Sequence, residues 1–240
     1  MDWIILTIAA LVTSTVSGVL GFAGGQLFLG ILPIYLPGSV VIPMYGANQL
    51  VSNCSRFLFA YRSVHWAVVG AFLSGSVVGV LIASLVVVNF NFDYFPLLIG
   101  FFILLSTWTQ LFNWLNRSNY SMWLIGCLQS GLGVIVGATG PLATAVLTDR
   151  GLTKDGIVAT NAVLMAISHV FKVVVYGVLG YSILSYWPLI IALAVASIMG
   201  SYIGTKVRHK LSNKSFSSIV KWVLTLVAIN LIAQSLYMNI

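Results

Sequence analysis

Apolar residues run along this chain in blocks of about 20, each closed by a cluster of polar or turn residues, without alternation of apolar and polar positions. A block of about 20 residues is what a helix needs to cross the ~30 Å hydrocarbon core of a bilayer, whereas a barrel strand would alternate over about ten. The pattern predicts spanning helices near 3–22, 43–61, 66–88, 94–115, 121–147, 156–178, 186–205 and 217–237. Residues 23–36 fit less simply. Apolar, glycine-rich and too long for a plain loop, they read as the lower half of a broken first helix or as a short re-entrant segment.

Composition closes off the alternatives. Of 240 residues 60% are hydrophobic and 6% charged, against about 25% charged in a soluble domain, so no water-facing surface can be assembled. In lipid every backbone amide must bond internally. The expected fold is an all-α integral membrane protein of about eight transmembrane helices, a single transmembrane domain over 1–240. The net charge of +7 is no nucleic-acid footprint, because five of the eleven basic residues fall between Lys206 and Lys221 as an orienting loop. The loop after the seventh span holds Lys206, Arg208, Lys210 and Lys214, and the loop after the fifth holds Arg150 and Lys154. With these six in the cytoplasm, Arg62 and Arg117 fall outside, and both termini of a multi-pass inner-membrane protein are extracytoplasmic. Cys54 and Cys127 lie in apolar segments and read as free thiols, one of which could meet a substrate. The amino terminus lacks a positive n-region and cleavage site, so it reads as a retained first helix.

The chain repeats itself weakly, with halves 1–118 and 119–240. Leu20–Gly25 resembles Val136–Pro141 at a separation of 116; Ala47-Asn48 and Ser55-Arg56 resemble Thr160-Asn161 and Ser168-His169 at 113; Ala71, Gly75, Gly79 and Ala83 recur as Ala192, Ala196, Gly200 and Gly204 at 121. Two four-helix halves pointing the same way predict a pseudo-two-fold axis along the membrane normal. The small-residue ladders read as close helix packing.

Paired glycine interruptions free backbone groups, which lipid tolerates only beside a cavity, and such pairs in matching repeats point to a transporter's binding site. Gly21, Gly24 and Gly25 in one half, and Gly137, Thr139 and Gly140 in the other, are therefore candidate substrate-binding positions. At 100° per residue, Asn48, Ser52 and Arg56 share a face of the second span, as Asn161, Ser168, His169 and Lys172 do on the sixth. Charge within a span is costly and usually functional, although Arg56 and Lys172 are near enough to span ends to snorkel. The four acidic residues, Asp2, Asp93, Asp149 and Asp155, all sit at segment ends or in loops. Lacking an intramembrane carboxylate, the pathway favours a small anion over a cation.

At these residues the chain resembles the sulfite exporter TauE/SafE family, also called the toluenesulfonate uptake permeases. The resemblance rests on Ser17 through Gly25 with Pro33, and again on Ser130-Gly131 through Gly137-Ala138-Thr139-Gly140, with Gln26 where the family has a further glycine. It implies a permease for a small sulfur-containing or organic anion such as sulfite, a sulfonate or sulfoacetate, in either direction, without a cofactor or metal. A coupling proton or sodium ion and a homo-oligomer are compatible with it. An enzyme is disfavoured, because the adjacent Ser168 and His169 diverge by about 100° on one helix. An anion channel has a similar lining, and a membrane scaffold would not need basic residues on buried faces.

Overall fold

A computed structural model describes residues 2–21, 23–88, 95–109, 121–137, 139–208, 210 and 213–238. Its α-helices are α1 (Asp2–Leu20), α2 (Gly24–Tyr35), α3 (Gly38–Phe59), α4 (Val69–Val87), α5 (Phe95–Trp108), α6 (Ser121–Val136), α7 (Pro141–Asp149), α8 (Lys154–Val178), α9 (Trp187–Val207) and α10 (Asn213–Met238). No strand occurs among the described residues. Residues 110–115 of the fourth predicted span, Asp93, Arg117, and the Phe22 and Ala138 of the glycine-rich motifs lie outside them.

Four helical stretches, Asp2–Leu20, Trp66–Val87, Lys154–Val178 and Leu184–Val207, are long and apolar enough to cross a membrane. Their outer surfaces stay apolar, with Leu81, Leu85 and Val178 among the most exposed side chains, as a lipid-facing protein requires. The chain is an all-helical, multi-pass membrane protein. At 22 residues α3 has the length to span, but its stripe from Asn48 to Arg56 is polar and buried.

Both glycine segments break their helices. After α1 ends at Leu20, Gly21 takes φ 82° and Ala23 takes φ 68°, left-handed conformations that cost L side chains about 1–2 kcal/mol. The chain then folds back on itself. A Cβ on Gly24 would stand 1.8 Å from the Thr13 carbonyl oxygen and 2.4 Å from the Ser17 hydroxyl, so α2 returns along α1 as a re-entrant helix. In the second half α6 ends at Val136 and Gly137 takes φ 85°. There the Thr139 hydroxyl donates to the Gln129 carbonyl at 2.8 Å, and the Ala143 amide donates to the Gln129 side chain at 3.1 Å, pinning α7 against α6.

Two sequence expectations are corrected by the helix directions. Ser52 of α3 bonds Ser14 of α1, and Arg56 bonds the Ser17 carbonyl, so α1 and α3 run parallel. The Asn48–Ser197 and Ser52–Ser201 bonds make α9 parallel to them. In turn α8 runs with α6, through Ser130–Ser168 and Val134–Tyr176. It runs against α3, because Gly46 meets Lys172 near one end while the chain just beyond α3, at His65, bonds Thr160 near the other. Thus α1, α3 and α9 point one way and α6 and α8 the other, and the halves do not point the same way. The return pass of α2, which a count of eight full spans skips, reverses α3, α4 and α6 relative to that count, whereas α8 and α9 keep the directions it gives them. The same pass moves Arg62. The His65 amide donates to the Thr160 hydroxyl at 2.9 Å, and residues 58–63 border a hollow shared with Asp155 and Thr205. Arg62 therefore lies at the same end of the bundle as Lys154 and Lys206, not at the opposite one.

The small-residue ladders are structural. Cβ atoms on Gly75 and Gly79 of α4 would stand 1.9 Å from the Trp123 and Cys127 carbonyl oxygens of α6. On α9, Gly200 and Gly204 meet the Leu11 and Thr15 carbonyls of α1 at 2.2 and 2.4 Å in the same way.

Candidate functional site

The α1–α2 break, the start of α7 and the facing sides of α3 and α8 converge on a cavity of about 20 Å³, room for roughly one water molecule. Five of the sequence-predicted residues line it: Gly21, Gly25, Arg56, Gly140 and Asn161. Ser17, Gln26, Tyr45, Gln49, Asn53 and Met165 line it as well. Tyr45, Gln49, Asn53 and Arg56 recur at helical spacing on α3, so that stripe was there to be read; Gln26 stood in the sequence only as a departure from a glycine pattern. Larger hollows lie beyond the cavity at either end of the α3–α8 pair. The one at the basic end holds about 300 Å³ beside Arg62 and Asp155, and the other about 380 Å³ between Pro43 and Tyr181.

Arg56 is 3% exposed and does not snorkel. Its guanidinium donates to the Ser52 carbonyl at 3.3 Å, the Ser17 carbonyl at 3.2 Å and the Asn53 side-chain oxygen at 2.6 Å. All three acceptors are neutral. An ion pair joins Arg208 to Asp155, at the basic end of the bundle. Arg56 thus holds a full charge in a low-dielectric setting with hydrogen bonds but no counter-charge, an arrangement that an anion would complete. Across the cavity, Asn161 donates to the Gly21 carbonyl at 2.9 Å, fixing the helix break, while its Oδ1 is buried without a partner.

The other predicted residues stand away from the cavity lining. Gly24 seals α2 against α1. The Ser52 hydroxyl bonds Ser14 and Ser201, and Asn48 accepts from Ser197 at 2.8 Å, both at the contact with α9. Ser168 bonds Ser130 of α6 at 2.8 Å, and Thr139 is held by Gln129. Lys172, 1% exposed, donates to the Gly137 carbonyl and stands 3.4 Å from His169 Nδ1. Its ammonium also lies 4.9 Å from the centroid of the Tyr45 ring, whose edge packs on His169 at 5.4 Å. Lys172 and His169 thus form a second basic centre, in contact with Tyr45, which also lines the cavity beside Arg56. Cys54 and Cys127 are free and half-buried, and neither is among the cavity-lining residues.

A buried guanidinium facing two broken helices can receive and desolvate a small anion. Comparison with curated proteins and with solved structures found no match. A family model described as Sulfite exporter TauE/SafE matches residues 6–231, nearly the whole chain. The chain therefore belongs to the sulfite exporter TauE/SafE family, whose members are membrane permeases.

Proposed function

We propose that this permease carries a small sulfur-containing or organic anion, such as sulfite, a sulfonate or sulfoacetate, and that the anion binds in the cavity beside Arg56. The observation that carries this reading is the buried guanidinium without a carboxylate partner among the described residues, set at the meeting point of two helix breaks. Donors there replace the water that an anion loses on leaving solution. Arg56 supplies the charge, Gly21, Gly25 and Gly140 let the backbone approach, and the amides of Asn161 and Asn53 orient the ligand. Asn48, Ser52, Ser168 and Thr139 hold the surrounding helices in register. Its present size admits about one water, so an anion enters as α2 and α7 shift and open the cavity toward one hollow or the other.

We further infer eight spans and two re-entrant helices in halves of inverted topology. Gly21 and Gly137, both left-handed, are 116 residues apart, as are Ser14 and Ser130, Ser52 and Ser168, and Arg56 and Lys172. Ser14, Ser52 and Ser201 bond across α1, α3 and α9 as Ser130, Ser168 and Ser76 bond across α6, α8 and α4. These contacts support a constant offset of 116 in place of the 113 read on the polar helices.

The test is a thermal-shift and flux screen on purified protein with sulfite, thiosulfate, sulfonates and small carboxylates. Stabilisation by a sulfur oxyanion, with saturable uptake into proteoliposomes, is expected. Flux that does not saturate would indicate an anion channel, and no stabilisation by any anion would overturn the reading.

A further inference from the structure

The two basic centres differ in one chemical respect. Arg56 is partnered by Asn53, and 116 residues later Lys172 is partnered by His169. The arginine pair does not titrate, because a guanidinium keeps its proton under all ordinary conditions. Lysine sheds its proton readily when buried, and histidine titrates near neutrality. We propose that the Lys172–His169 pair is a proton-binding site, coupled through Tyr45 to the anion cavity. This rests on the anion reading above and adds the coupling ion.

Three observations carry it. First, Lys172 Nζ lies 3.4 Å from His169 Nδ1, so one proton can be held between them. In the unloaded form a neutral Lys172 accepts from the His169 Nδ1–H. In the loaded form the added proton sits on His169 Nε2 and the Nδ1 proton has passed to Lys172, whose ammonium donates to the bare Nδ1 of a still neutral ring, while the Gly137 carbonyl accepts from Lys172 in both. Second, His169 Nε2 is buried without a hydrogen-bond partner, an open position from which a proton or a water can be exchanged. Third, Tyr45 belongs to both sites: it lines the cavity, and its ring covers the Lys172 ammonium.

The surroundings leave the pair as the titrating element. From α3 it is faced by Tyr45, with Arg56 further along the same helix. The packed helix α4 contains no titratable residue, and the one on α6, Cys127, lies against Gly79 of α4. On α7 the one candidate is Asp149, at the helix end far from the Gly137 break; Tyr61 and Arg62 reach α8 only near its first turns, where Lys154 and Asp155 lie. Tyr176, one turn beyond the pair, donates to the Val134 carbonyl. Binding one anion next to Arg56 and one proton on the pair adds no net charge to the membrane interior, and each makes the other less costly.

The experiment measures protons taken up per anion bound, with an indicator dye in weakly buffered detergent solution between pH 5 and pH 9, using sulfite and a sulfonate as probes. About one proton per anion is expected at some pH in this window, falling toward zero in Lys172→Arg, which stays charged throughout. Wild-type protein that binds anion with no proton uptake at any pH sinks the proton site and leaves the anion reading standing. If no anion binds, the anion reading fails and a ligand-free measurement decides this one. The ring nitrogens of His169, in ¹⁵N-histidine-labelled protein and assigned by loss in His169→Gln, should titrate with a midpoint that moves in Lys172→Arg. A His169 signal that is unchanged across the range, or blind to Lys172, overturns the proposal.

Discussion

Arg56 and Gly24 sit within a few residues of the same helix break and do opposite things. Arg56 has three neutral acceptors and no acid, so removing its charge should affect the ligand more than the fold. Arg56→Gln is expected to weaken binding of the stabilising anion about ten- to hundredfold, the worth of one charge-assisted hydrogen bond, with Tm in the absence of anion nearly unchanged. Isothermal titration beside a thermal melt checks both halves. Gly24, a predicted binding position, is instead where two backbones touch, because its Cβ would enter the Thr13 carbonyl. Gly24→Ala should therefore lower stability by about 1–3 kcal/mol, as overpacking does, whether or not anion is present. A Gly24→Ala protein with wild-type Tm and weak binding would return that residue to the site.

Helix contacts explain why most elements were legible and their directions were not. Apolar block length locates the four strongly apolar helices, Asp2–Leu20, Trp66–Val87, Lys154–Val178 and Leu184–Val207, to within a few residues, because lipid thickness fixes it. The interruptions were legible too, since Gly21 and Gly137 are both needed at positive φ. What the sequence left open is the sense of α2, between a continued helix and a re-entrant segment, because it rests on long-range facts: Gly24 against Thr13, and Arg56 bonding the Ser17 carbonyl. Nothing local distinguishes a segment that continues a helix from one that returns along it. The polar stripe of α3 was found, but whether Ser52 faces a ligand or Ser201 depends on α9, about 150 residues away. Packing between elements is testable on α4 alone. A Cβ on Gly79 would meet the Cys127 carbonyl at 1.9 Å, while one on Gly70 would meet nothing within 4 Å. Gly79→Ala should therefore lower Tm by several degrees as α4 and α6 are forced apart. Gly70→Ala should hold or raise Tm, because alanine favours a helix by about 1 kcal/mol over glycine. Equal Tm changes in the two variants would mean that the ladder does not set the α4–α6 distance.

Across the whole molecule, the re-entrant pass of α2 gathers basic residues that a plain span count divides. Arg62 joins Lys154, Lys206 and Arg208 at one end of the bundle, where Arg208 also donates to the Gly18 carbonyl and pairs with Asp155. At the far end, where α1 begins, the described charge is Asp2. Positive residues in short loops are retained in the cytoplasm, so the basic end should be cytoplasmic and both termini outside. This orientation agrees with the reading from loop charge at both termini but differs from it between α3 and α6. A plain count of eight spans puts residue 63 outside, whereas a returning α2 puts it inside. A reporter that is active only beyond the cytoplasm, joined after Ser63, should therefore be silent, and the same reporter joined after Ile240 should be active. A silent reporter at Ile240 with an active one at Ser63 would invert the orientation and keep the re-entrant helix. Activity at both positions would instead mean that α2 makes no return pass in the membrane, and the inverted halves would fall with it.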